Sequence, residues 1–301
     1  MIKLPNGVNI NNLIGDLREF SWEAADILKY YYQRIKDDKY KGKLIKFKAI
    51  NDPVTLADLK VNEMIIKRIN ERYYDVNWNF LSEENNKKEF VTKYIKSDWL
   101  WVLDPLDGTK DYIQGTGNYA MHLALNYKNR PYLGVVLIPE KNELWFSNGI
   151  QSWCEQKDGT LKKSCLSKEK KIRDLILVSS KNHSNKNLKL LIEKIRFRKT
   201  ITMGSIGCKV ASIMRGESDI YISLSLPGKS SPKDWDFAAP EAILKAGGGA
   251  ITNLNIKDLV YMKSDFEQRG IIIASNNQKN HQKVCSQIEE IIAINDLYPF
   301  S

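Results

Sequence analysis

No apolar run in this chain approaches the roughly 18 residues that cross a bilayer, so a membrane helix is not expected. The stretch from Met1 to Phe20 lacks the apolar segment of a secretory signal, and none is expected. Four cysteines, Cys154, Cys165, Cys208 and Cys285, are scattered without CxxC spacing. Reduced thiols in a cytoplasmic protein are expected rather than disulfides or a zinc site. The basic residues form short runs with no aromatics interleaved, which speaks against a nucleic-acid partner. There is no internal repeat and no low-complexity tract.

What is present is ordinary in amount. The 301 residues are 43% hydrophobic and 27% charged, enough for one large core or two modest domains. Lys and Arg total 46 against 36 acids, a net charge of +10. That excess reads mainly as a solvated surface, with steering of phosphorylated small molecules as a secondary effect.

Apolar spacing predicts an amphipathic helix from Leu13 to Tyr40 and a second within Asp52 to Asn70, capped by Thr55. Phe80 to Ser82 and Trp99 to Leu103 read as strands, the latter stopping at Asp104 because Pro105 follows. Tyr119 to Tyr127 is a further strand, and Pro131 to Pro139 with Leu144 to Asn148 form a hairpin. The polar, lysine-rich Gln156 to Arg173 marks an expected boundary. Beyond it strands and helices alternate, with helices at Asn187 to Ile195, Ile206 to Arg215, Phe237 to Ala246 and His281 to Ile292. Two halves are expected: 1–155, with an antiparallel sheet and most metal ligands, and 156–301, with substrate-binding residues and Asp236.

The acids carry the chemistry. Asp104-Pro105-Leu106-Asp107-Gly108-Thr109 places two carboxylates at a strand end, where ligands gather in open sheets. Gly108 lets the backbone approach a ligand, and the amides of Gly108 and Thr109 suit phosphate oxygens. Glu83 follows another strand end, while Asp58 and Asp236 stand near helix starts, where each alone reads as a cap. Together they point to a hard divalent cation with oxygen ligands.

These segments, with Leu81-Ser82-Glu83-Glu84 and Trp235-Asp236-Phe237-Ala238-Ala239, occur in the order seen in the inositol-monophosphatase-like, lithium-sensitive phosphatases, which the chain resembles over roughly its whole length. The resemblance implies an α+β fold, a layered α/β/α/β/α sandwich shared with fructose-1,6-bisphosphatase. It implies two or three Mg2+ ions: one on Glu83, Asp104 and the Leu106 carbonyl, one on Asp104, Asp107 and Asp236, and a weaker one near Glu83 and Asp58. It further implies that Thr109 and Asp58 orient and deprotonate the attacking water.

Three features resemble the 3'(2'),5'-bisphosphate nucleotidase branch. Lys110-Asp111-Tyr112 follows the Asp-Gly-Thr, Ser180 to His183 resembles a Ser-x-x-His segment, and Gly204 to Lys209 resembles a Gly-Ser turn with a phosphate-binding lysine. The substrate contacts implied are Asp107, Gly108, Thr109, His183, Ser205, Lys209 and Asp236. Where inositol monophosphatases carry a sugar-binding glutamate, Lys229 stands here with Lys233 nearby, cations better suited to a second phosphate. The expected substrate is adenosine 3',5'-bisphosphate, and 3'-phosphoadenylyl sulfate is a further candidate. An inositol phosphate or fructose 1,6-bisphosphate is the alternative. The resemblance implies a cytoplasmic enzyme of sulfur metabolism, monomeric or homodimeric.

Overall fold

The computed structural model describes residues 2–37, 42–49, 52–85, 97–165, 169–181 and 185–297. Helix α1 spans Ile10–Ile35 and starts earlier than the spacing suggested, because Asn9 caps it through bonds from the Asn11 and Asn12 amides; the expected end at Tyr40 lies outside the described residues. Strands β1 (Ile45–Ala49) and β2 (Asp52–Thr55) form a small antiparallel ribbon. It leads into α2 (Leu56–Arg72), which Thr55 caps as expected.

A seven-stranded sheet follows, built from β3 (Asn79–Ser82), β4 (Trp99–Asp107), β5 (Ala120–Tyr127), β6 (Arg130–Ile138), β7 (Glu143–Ser147), β8 (Ser152–Gln156) and β9 (Leu161–Lys163), in that order. Only the β3–β4 pair is parallel; the rest is an antiparallel meander. Short helix α3 (Thr109–Gln114) lies between β4 and β5.

Two differences from the sequence reading have clear causes. Strand β4 continues through Pro105 to Asp107 instead of stopping at Asp104. Its register against β5 shifts between Asp104 and Asp107, and a proline without an N–H is tolerated at such an irregularity. The expected boundary segment also contributes β9, whose exposed Leu161, Lys162 and Lys163 form a polar sheet edge.

The second sheet runs β11-β10-β12-β14-β13, from β10 (Ile176–Ser180), β11 (Lys199–Met203), β12 (Ile220–Ser225), β13 (Ala250–Asn253) and β14 (Gly270–Ser275). Its helices are α4 (Lys186–Ile195), α5 (Ile206–Met214), α6 (Asp234–Ala246) and α7 (Gln278–Asn295). Alternation along the strands divides the apolar residues into three cores. Trp101, Leu103 and Leu125 pack with α1 and α2. Leu100, Val102 and Ala124 face α5 and α6, which on their other side meet Val178, Tyr221 and Ile272. Leu177, Ile222 and Ile273 face α4 and α7. The layers are therefore helix, sheet, helix, sheet, helix, as expected. Helix α6 sits directly on β6 because Gly134 has no side chain: a Cβ there would lie 2.7 Å from that of Ala242. No helix among the described residues is long and apolar enough to cross a membrane.

Candidate active site

Strand pairing brings the first acids together. Ser82 of β3 lies opposite Leu103 of β4 in parallel register, so the next residue of each, Glu83 and Asp104, emerges at the same end. Asp104 is 1% exposed, and its Oδ1 accepts the Leu106 amide at 3.0 Å.

The chain then turns at Gly108, with φ +88°. A Cβ there would stand 2.9 Å from the Asn118 carbonyl oxygen and 3.1 Å from the Ser205 amide, so only glycine fits. The turn delivers Asp107 to the start of α5, where its Oδ2 accepts Ser205 Oγ at 2.7 Å, the Ile206 amide at 2.5 Å and the Gly207 amide at 3.3 Å. Ser205 also caps α5 by accepting the Cys208 amide at 3.1 Å. Its φ of +41° is unusual for a non-glycine residue, and these two bonds hold it there.

Asp58 and Asp236 have the same local construction. Each is the third residue of a helix and reaches back to the capping residue. Asp58 Oδ2 accepts the Thr55 amide at 2.9 Å and its hydroxyl at 2.5 Å. Asp236 Oδ2 accepts the Lys233 amide at 2.5 Å. Helix α6 thus starts at Asp234, ahead of the expected Phe237, and Asp236 sits inside its first turn instead of before it.

Ligand oxygens of Asp104, Asp107 and Asp236 all lie within 4.8 Å of one another. Glu83 stands outside that trio, yet its charge raises the pKa of Asp58, Asp104 and Asp236. Burial pushes Asp104 well above the usual carboxylate range, and Glu83, Asp107 and Asp236 add to the shift. Asp236 is raised in the same sense by burial and then by Asp107. Acids gathered at such a cost fit a cation held by hard oxygen donors, the preference of Mg2+.

Beside the trio, Thr109 Oγ1 lies 3.5 Å from Asp58 Oδ1 and donates to the Leu106 carbonyl at 3.0 Å. Burial holds the Asp58 pKa up at about 7, partly offset by the bonds from Thr55. A carboxylate poised there can exchange a proton near neutrality.

The expected substrate residues divide. Gly108, Thr109 and Ser205 border the acids. Lys209 is 3% exposed, and its Nζ donates to the Ser205 carbonyl at 3.1 Å and lies 5.1 Å from the centre of the Tyr221 ring. Its ammonium is thus turned inward; burial lowers its pKa, with Asp107 and Asp236 opposing. His183 lies outside the described residues. Lys229 is exposed, whereas Lys233 is committed to Glu267 at 2.8 Å and to the Asp265 carbonyl at 3.3 Å. Sequence reasoning missed His122, which is fully buried with Nε2 3.3 Å from Asp107 Oδ2. Its only signal is positional: it pairs across the sheet with Asp104.

The sequence profile of the inositol monophosphatase family matches residues 13–293. A protein named 3'(2'),5'-bisphosphate nucleotidase CysQ from Aggregatibacter actinomycetemcomitans is 28% identical over 255 residues, covering 84% of this chain and 89% of that one. Its namesake from Buchnera aphidicola is 30% identical over 220 residues, covering 73% and 78%. Among solved structures, CysQ from Bacteroides thetaiotaomicron superposes with a TM-score of 0.66 at 24% identity, covering 85% of this chain and 94% of that one. The suppressor protein suhB from Bartonella henselae gives a TM-score of 0.74 at 19% identity, covering 93% and 99%.

Proposed function

Because the chain belongs to the inositol monophosphatase family, we propose that it is a Mg2+-dependent phosphomonoesterase of bisphosphorylated nucleotides. The reaction assigned is removal of the 3'-phosphate of adenosine 3',5'-bisphosphate, leaving AMP, with 3'-phosphoadenylyl sulfate as a second substrate. The convergence of Asp104, Asp107 and Asp236 within 4.8 Å carries the phosphatase reading. The nucleotidase names of the relatives favour the nucleotide over a sugar phosphate.

Asp104, Asp107 and Asp236 would hold Mg2+, with Glu83 and the Leu106 carbonyl completing a second position. Bound there, Mg2+ supplies Lewis acidity for the phosphoryl oxygens and lowers the pKa of water. The protein's own part is positioning and proton transfer. Thr109 hands its hydroxyl proton, or that of a water it orients, toward Asp58 Oδ1, 3.5 Å away. A threonine hydroxyl is a weak base alone, so Asp58 is the proton acceptor. Gly108 brings the backbone close enough for its amide and that of Thr109 to bind phosphoryl oxygens.

Asp107 and Asp236 would meet the substrate through the ion. Ser205 acts through Asp107, which it holds at 2.7 Å. Lys209, turned inward, contributes positive charge beneath Asp107 and Asp236 instead of a direct phosphate contact. His183 is assigned to the nucleotide on its motif, and Lys229 to the remaining phosphate on its exposure.

The test is phosphate release with Mg2+ from adenosine 3',5'-bisphosphate and from inositol 1-phosphate. A faster rate on the nucleotide is expected. Equal rates reject the nucleotidase assignment, and no Mg2+-dependent release from either rejects the phosphatase.

A further inference from the structure

Among the described residues, His122 is the one histidine whose ring nitrogens reach two ligand-bearing elements at once. It sits on β5, directly across from Asp104 in β4 and from Val136 in β6, and is 0% exposed. Its Nε2 lies 3.3 Å from Asp107 Oδ2, and its Nδ1 lies 3.4 Å from the carbonyl oxygen of Trp235, the residue before Asp236.

Both neighbours are acceptors, and a neutral ring has one proton to give them. Nε2 is within reach of Asp107 but off the line of a full hydrogen bond, and it has no other partner among the described residues. Gly207 packs closely against the ring: a Cβ there would lie 2.2 Å from Nε2. A buried donor left to itself is costly, and a carboxylate is the strongest acceptor it can find. The carboxylate therefore favours the neutral tautomer with its proton on Nε2, which leaves Nδ1 unprotonated beside the Trp235 carbonyl.

The consequence falls on Asp107. Ser205 Oγ and the amides of Ile206 and Gly207 already converge on Oδ2. His122 approaches the same oxygen from β5. Among the described residues Oδ1 accepts no hydrogen bond, which leaves it for an ion. We infer that His122 is a positioning residue for divalent-cation binding: donating from Nε2, it fixes the Asp107 carboxylate. The inference rests on the reading of Asp107 and Asp236 as ion ligands.

Titration calorimetry of the metal-free protein with MgCl2 tests it, beside thermal melting in EDTA. His122→Leu keeps the volume and removes the donor. Partners that orient a ligand typically contribute about 10- to 100-fold in metal affinity. Mg2+ affinity is expected to fall by about that factor while the melting temperature in EDTA holds or rises, because a buried polar group has been replaced by an apolar one. His122→Gln retains an N–H and is expected to recover most of the affinity.

Mg2+ binding by His122→Leu within about threefold of wild type overturns the inference, as does a loss that His122→Gln fails to recover. If His122→Leu does not fold, His122→Gln is compared with His122→Met, and equal affinities overturn it. Wild-type protein that binds no Mg2+ would instead sink the ion-ligand reading itself, and this inference with it.

Discussion

Thr109 and Asp58 face each other across the mouth of two different elements, with Oγ1 and Oδ1 3.5 Å apart. Thr109 opens α3 after a left-handed glycine, and Asp58 lies in the first turn of α2. Neither is near the other in sequence, and neither does its proposed work alone. Asp58→Asn should keep the bonds from Thr55 through its amide oxygen and lose the proton acceptor. Its kcat is expected to fall by about 10²- to 10⁴-fold with KM little changed. Steady-state kinetics on adenosine 3',5'-bisphosphate decide; retained kcat removes Asp58 from the proton path.

Asp236 separates helix capping from ion binding. Asp236→Asn leaves an oxygen to accept the Lys233 amide, so urea stability should hold while Mg2+-dependent turnover drops more than about 100-fold. Asp236→Ala should lose turnover and, in addition, about 0.3–1.5 kcal/mol of stability for the missing cap, apart from any relief of carboxylate repulsion. Full activity in the asparagine variant would contradict the ligand role.

Gly108→Ala puts a methyl where the Asn118 carbonyl and Ser205 amide already crowd, at a φ of +88°. The left-handed backbone alone costs about 1–2 kcal/mol for a residue with a Cβ, and the clash adds to it. Denaturant unfolding should show at least that loss, together with reduced turnover, since Ser205 holds Asp107. An alanine variant as stable as wild type would mean that the turn relaxes freely.

The raised acids make stability depend on pH and on metal in a definite direction. Asp58, held at about 7 by burial, and Asp104 and Asp236, also raised, keep protons in the folded state that they release when unfolded. Their stabilising effect is complete below about pH 4, the ordinary carboxylate value, and is lost as pH rises through the folded value, about 7 for Asp58. In EDTA this contribution to the melting temperature should decline across that window. Mg2+ should offset it, so its stabilising effect grows from pH 5 to pH 8. An Mg2+ effect that shrinks with pH would contradict the cluster.

Much of this was legible in the sequence because it is local. Thr55 as a cap, the β3 and β4 strands, and the glycine at 108 each follow from residue type and spacing. Pro105 misled, since whether a proline ends a strand depends on the partner's register, which sequence does not display. Asp236 was placed before its helix because the cap, Lys233, is not a typical capping residue and makes no side-chain cap bond. The direction of Lys209 was invisible for another reason. A helix spacing puts a lysine on a face, but only the packing of α5 against Tyr221 shows that face to be inward. His122 needed the pairing of β4 with β5 before it meant anything.

One oxygen each of Asp58, Asp107 and Asp236 is tied to the start of a helix. The carboxylates therefore cannot spread apart without dragging helix ends, those of α5 and α6 packed between the two sheets and that of α2 on the outer face of the first. A frame that resists widening suits a small ion with strict geometry and handicaps a larger, more accommodating one. Discrimination of Mg2+ against Ca2+ would then be a property of how α2, α5 and α6 begin.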